Sequence, residues 1–125
     1  MASATYTIQR LRPQREGGGL LPLGAKAEVL ATFATMNTAP DETGGDVLYG
    51  PGMRVTLTVD PTTDEVQSLE LRVVEGELFE LMFEGTAAER PGRLARAVRR
   101  HGWTLLNLET GMAYPPIRSE EPDDA

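Results

Sequence analysis

The side chains in this chain whose type and spacing could do chemistry are Arg93, Arg96, Arg99 and Arg100, which follow one another with no acidic residue among them. Guanidinium groups are rigid forks of N–H donors that grip carboxylates or phosphates two bonds at a time. At 100° per residue the four lie on one arc of a helix, with Pro91, Leu94, Ala95, Ala97, Val98 and His101 on the opposite arc. Arg93, Arg96, Arg99 and Arg100 are therefore the candidate partner-binding residues. The competing reading is a solvated outer face. Arginine is a good helix former, Arg99 and Arg100 suit the negative end of a helix, and neighbouring acids could pair with them.

No catalytic constellation accompanies them. The chain has one histidine and no cysteine, which leaves no thiolate nucleophile, no cysteine zinc site and no histidine-built metal centre within one chain. His101 falls in the apolar arc of the same helix, where a packed structural imidazole is the ordinary reading. Ser3, Ser68 and Ser119 lie near the start, in mid-strand and in the C-terminal tail, and none occupies a nucleophile elbow. Asp60-Pro61-Thr62-Thr63-Asp64-Glu65 has carboxylates but not the glycine and terminal glutamate spacing of a calcium loop. Gly50-Pro51-Gly52 lacks the third glycine and the following helix of a dinucleotide fingerprint. Gly17 to Gly19 lacks the Lys-Ser/Thr of a phosphate loop. No cofactor is expected.

Charge narrows the partners. The formal net charge is -7, which argues against a general nucleic-acid binder, because such affinity comes from cations displacing counterions from phosphates. The distribution is uneven: residues 60–89 carry nine acids against the single Arg72, and the arginine cluster follows directly. Eleven of the twelve basic residues are arginine, a bias read first as genome composition. No stretch reaches the ~20 consecutive apolar residues of a membrane span. The first twenty residues offer no apolar leader core, so a cytoplasmic bacterial protein is expected.

The elements that must position the arginines can be read in outline. Val55, Leu57 and Val59 alternate with Arg54, Thr56 and Thr58, and Leu69, Leu71 and Val73 with Ser68, Glu70 and Arg72; these two strands should pair as an antiparallel hairpin. Tyr49-Gly50-Pro51-Gly52 sets a bend ahead of the first. Residues 5–9 have weak strand character, and 103–108 read as a closing strand. Residues 25–36 and 78–84 stay open between strand and helix; we read both as strands. Thr86-Ala87-Ala88-Glu89 matches a capping box and Gly102 a helix stop, so the arginine helix is expected over 86–102.

These readings sum to an α+β domain: an antiparallel sheet of four to five strands with one principal amphipathic helix packed on one face. The expected core is Val29, Phe33, Val55, Leu57, Val59, Leu69, Leu71, Val73, Leu81, Phe83, Leu94, Val98, Trp103 and Leu105. Residues 1–24 read as an arm or linker, 25–114 as the domain and 115–125 as a disordered acidic tail. Missing catalytic groups and segregated charge point to a small non-catalytic interaction or adaptor domain with a protein partner or a second copy of itself. The alternatives are a small-molecule or phosphate-binding enzyme subunit completed by another chain, and a structural homo-oligomer.

Overall fold

The computed structural model describes residues 3–12, 14–40, 45–84 and 90–115. In chain order the strands and helices are β1 (Ser3–Leu11), β2 (Leu20–Leu21), β3 (Gly24–Ala25), α1 (Lys26–Ala34), β4 (Ala39–Pro40), β5 (Val47–Gly50), β6 (Met53–Asp60), β7 (Glu65–Val74), α2 (Glu75–Met82), β8 (Phe83–Glu84), β9 (Arg90–Pro91), α3 (Arg93–His101), β10 (Thr104–Asn107) and β11 (Ala113–Tyr114). Nine strands form one sheet in the order β11-β10-β1-β7-β6-β5-β4, with β2 against β1 and β3 against β7; β8 and β9 pair separately. Every described pairing is antiparallel. The architecture is α+β, with a larger sheet than the expected four to five strands and, among the described residues, three α-helices and a short 3-10 turn at Gln14–Glu16 where one principal helix was expected.

The β6–β7 hairpin forms as its alternation requires, with Val55 opposite Leu71 and Leu57 opposite Leu69. The register shifts between Thr58 and Val59, a bulge that takes Val59 out of strict alternation and leaves it only partly buried. Asp60 closes the connecting turn by accepting the Thr62 amide at 2.8 Å. Between β5 and β6, Gly50 sits where a Cβ would lie 2.9 Å from the Thr38 methyl and 3.0 Å from the Asn37 carbonyl oxygen. A side chain there would push the α1–β4 connection off the sheet.

Three expectations fail here, two of them for one reason. Residues 25–36 are mostly α1, not a strand: Val29 and Phe33, four apart, are buried, while Ala31 and Thr35 are exposed. Residues 78–84 are mostly α2, with Leu78, Leu81 and Met82 forming its apolar stripe, and only Phe83–Glu84 extended. Both flanks of β7 are already occupied, by β1 and β6 along most of its length and by β3 at its start. In both segments the side chains that reach the core, Val29, Leu30 and Phe33 in one and Leu78, Leu81 and Met82 in the other, fall on one stripe of a helix but would be split between the two faces of a strand. The third is the arm: the strand expected at 5–9 forms, but as β1 it runs over residues 3–11 and is an interior strand between β7 and β10, with Ile8 fully buried, and not part of an arm. Residues 116–125 and the capping box at 86–89 lie outside the described residues.

α3 starts at Arg93, later than expected, because Pro91 belongs to a strand and Gly92 is the N-cap, without a side-chain cap. Its stop is as expected. Gly102 is left-handed at φ 71°, its amide donates to the Arg99 carbonyl and the Trp103 amide to the Val98 carbonyl at 2.9 Å, a Schellman closure. Leu94, Ala97 and Val98 share one buried cluster with Val29 and Phe33 of α1 and with the inward side chains Ile8, Val55, Leu57, Leu69, Leu71, Val73 and Leu105. Lys26 fastens the start of α1 to Asp46 by an ion pair of 2.8 Å. The hydrogen bond it donates to the Asp46 carboxylate holds the Lys26 ammonium above its ordinary pKa. A raised lysine pKa means this contribution is intact at neutral pH and is lost only as alkali strips the proton.

Candidate functional site

α1 and α3 lie side by side, and the groove between them has a volume of about 650 Å³. Thr32 and Thr35 of α1 form one wall with Ala31; Arg93, Arg96, Arg100 and His101 of α3 form the other with Ala97. Positions 93, 96 and 100 follow the i, i+3, i+7 spacing that keeps side chains on one helical stripe, and span about 10 Å along the axis.

Hydrogen bonds hold both walls in place. Arg93 donates from Nη1 to the Thr35 carbonyl oxygen at 2.9 Å, crossing from α3 to the end of α1. Thr32 donates its hydroxyl hydrogen to the Glu28 carbonyl at 3.0 Å and Thr35 donates to the Thr32 carbonyl at 2.6 Å. Thr32 Oγ1 also lies 3.4 Å from His101 Nε2, within hydrogen-bond distance across the groove. The His101 ring stacks on Trp103 with centroids 4.7 Å apart and planes at 24°. Trp103 in turn stacks on Phe33 and donates its indole N–H to the Leu23 carbonyl at 3.1 Å. His101 is exposed, not sunk in the apolar arc as expected; its placement is nevertheless structural, a ring laid over the core tryptophan at the rim of the groove.

The four candidate arginines do not act as one face. Arg93, Arg96 and Arg100 line the groove. Arg99 turns the other way, donating from Nε to the Tyr114 hydroxyl at 3.0 Å with its guanidinium carbon 5.6 Å from that ring's centroid. Among the described residues no carboxylate lies within ion-pair distance of Arg93, Arg99 or Arg100. Sequence reasoning missed Thr32, Thr35 and Tyr114. The threonines could have been found only by reading 25–36 as a helix, and Tyr114 only by knowing that β11 ends beside α3.

No family model, curated protein or solved structure matches the chain. The site's chemistry thus rests on its geometry. Among the described residues the groove offers guanidinium and imidazole donors, and its lining contains no carboxylate. Among the described residues no group of three or more histidine, cysteine, aspartate or glutamate side chains could hold a metal ion, and no helix is long and apolar enough to cross a membrane. Folding should therefore be independent of metal: thermal melts with and without a chelator should coincide, and a fall of several degrees on chelation would contradict this.

Proposed function

We propose that this chain is a non-catalytic cytoplasmic interaction domain whose α1–α3 groove takes an acidic segment of a partner protein. One observation carries the reading. In a molecule of net charge -7, one groove gathers Arg93, Arg96, Arg100 and His101, with no carboxylate among the described residues that line it. Charge of the opposite sign to the bulk of the molecule, concentrated in a concavity, is what electrostatic recognition of an acidic partner requires.

The test is the triple variant R93Q/R96Q/R100Q, read against an acidic probe peptide by fluorescence anisotropy. Its melting temperature should stay close to wild type, since exposed charged contacts contribute ~0 to 1 kcal/mol each. Affinity for the peptide should fall by about tenfold or more, the scale of one charge-assisted hydrogen bond, and wild-type binding should weaken steadily with added salt. Loss of several kcal/mol of stability would mean that the arginines hold the fold together. Unchanged binding would reduce the groove to a solvated helix face.

A second reading is favoured by the groove's size, since about 650 Å³ lies within the range of small-ligand sites. On that reading the chain is a subunit that contributes half of a small-molecule or phosphate site, and calorimetry with small anions alone would give saturable heat. Self-association through complementary charge is the third outcome, visible as a concentration-dependent sedimentation coefficient that falls with salt.

A further inference from the structure

On the sheet face turned away from the groove, Arg54 of β6 and Arg72 of β7 are direct cross-strand partners. Each alternates with core residues, Val55 beside the first and Leu71 and Val73 beside the second, so both guanidinium groups leave from the outer face, where both residues are exposed. Side chains directly opposite on antiparallel strands have Cβ atoms about 4.5–5.5 Å apart, and like charges there repel. Among the described residues neither arginine has a carboxylate within ion-pair distance. The nearest acid on the same face by register is Glu70, two residues before Arg72 and opposite Thr56. The row continues on both sides with neutral hydroxyl groups, Tyr49 opposite Arg54 and Thr5 opposite Arg72. Beside the pair is an open concavity of about 320 Å³, lined also by Ser3, Gly52, Met53, Val73 and Val74.

We propose that Arg54 and Arg72 form a binding site for the phosphate monoester dianion of a small ligand. Stoichiometry selects this chemistry. A carboxylate brings one negative charge against two guanidinium charges, so a carboxylate bound between the pair leaves a net positive charge uncompensated. A phosphate monoester carries a charge of about -1.5 to -2 and three terminal oxygens, enough to accept a fork from each arginine and to cancel both charges. A phosphodiester has one charge per phosphate and cannot do so at one point. The concavity's volume, at the lower end of the small-ligand range, suits a small ligand over a polymer. The site is on the other face from the α1–α3 groove and stands independently of the function proposed for it.

The test is a titration of the full chain with inorganic phosphate and, separately, free phosphoserine at constant ionic strength, following arginine side-chain and backbone amide resonances by NMR. Saturable shifts are expected at Gly52, Arg54 and Arg72, equally in the wild type and in R93Q/R96Q/R100Q. In R72Q the affinity should fall by about tenfold or more. In chloride alone R72Q should melt no lower than wild type, because a like-charge contact has been removed; R54Q provides the same reading if R72Q folds poorly. Phosphoserine binding at least as tight as inorganic phosphate supports the monoester, and a response to inorganic phosphate alone overturns it. The proposal is also overturned by undiminished affinity in both single variants, by shifts confined to the groove arginines, or by an oligonucleotide that binds at Arg54 and Arg72 where phosphoserine does not.

Discussion

Removal of residues 1–11 should leave a chain that does not fold. β1 is the interior strand that joins β10 and β11 to the rest of the sheet, since β10 pairs with β1 on one side and β11 on the other. Its loss would strand the C-terminal hairpin and uncover the backbone groups of β7 along Leu69 to Val74. Ile8 alone, fully buried in the core, contributes roughly 1.5–3 kcal/mol by burial. Each backbone group left buried without a partner costs about 1–3 kcal/mol more. Two or three such losses consume the ~5–15 kcal/mol by which a domain of this kind is stable. Circular dichroism should show no cooperative melt for the truncated chain. A sharp transition within a few degrees of wild type would mean that residues 1–11 are the dispensable arm their sequence suggests.

Trp103→Ala should cost about 3–5 kcal/mol, the usual penalty for deleting a large buried aromatic side chain and leaving a cavity. Trp103 is 3% exposed, stacks on Phe33 with ring centroids 6.3 Å apart, and gives its indole hydrogen to the Leu23 carbonyl. Trp103→Phe separates the contributions: it keeps most of the packing but leaves the Leu23 oxygen unpaired, at a cost of about 1–3 kcal/mol. Urea titrations monitored by circular dichroism provide the measurement. Because Trp103 also carries the His101 ring, both variants should weaken the groove's peptide binding while R93Q/R96Q/R100Q weakens it without the stability loss. A loss below about 1 kcal/mol for the alanine variant would show that the ring is not part of the core.

Much of the core was legible because alternation and helical spacing are local. Val55, Leu57, Leu69, Leu71 and Val73 declare the hairpin, and Leu94, Ala97 and Val98 declare the inner face of α3, whatever lies around them. Even where the element was misread, the residues held: Val29, Phe33 and Leu81 were expected as core from strands and are core from helices. An apolar side chain seeks burial in either conformation. The strand count was illegible because β2, β3, β4 and β11 are two residues each, too short to carry a period.

The same division holds for the site. The chain's own order of residues determines that a stripe of arginines backs onto a stripe of aliphatic side chains, that no thiol or second imidazole exists, and that Arg54 and Arg72 point away from a buried hairpin face. These follow from composition and from periods of 3.6 and two, which need no partner segment. Tertiary structure alone decides that Arg99 leaves the cluster for Tyr114, that Thr32 and Thr35 face Arg93 and Arg100 across a groove, and that Arg54 stands directly opposite Arg72. It also decides that residues 26–34 coil into a helix, with Val29, Leu30 and Phe33 packed into the core. Each of these depends on strand register or on which neighbours are already paired. Those are properties of the assembled sheet, set by hydrogen bonds between residues far apart in the chain, and no window of local sequence contains them.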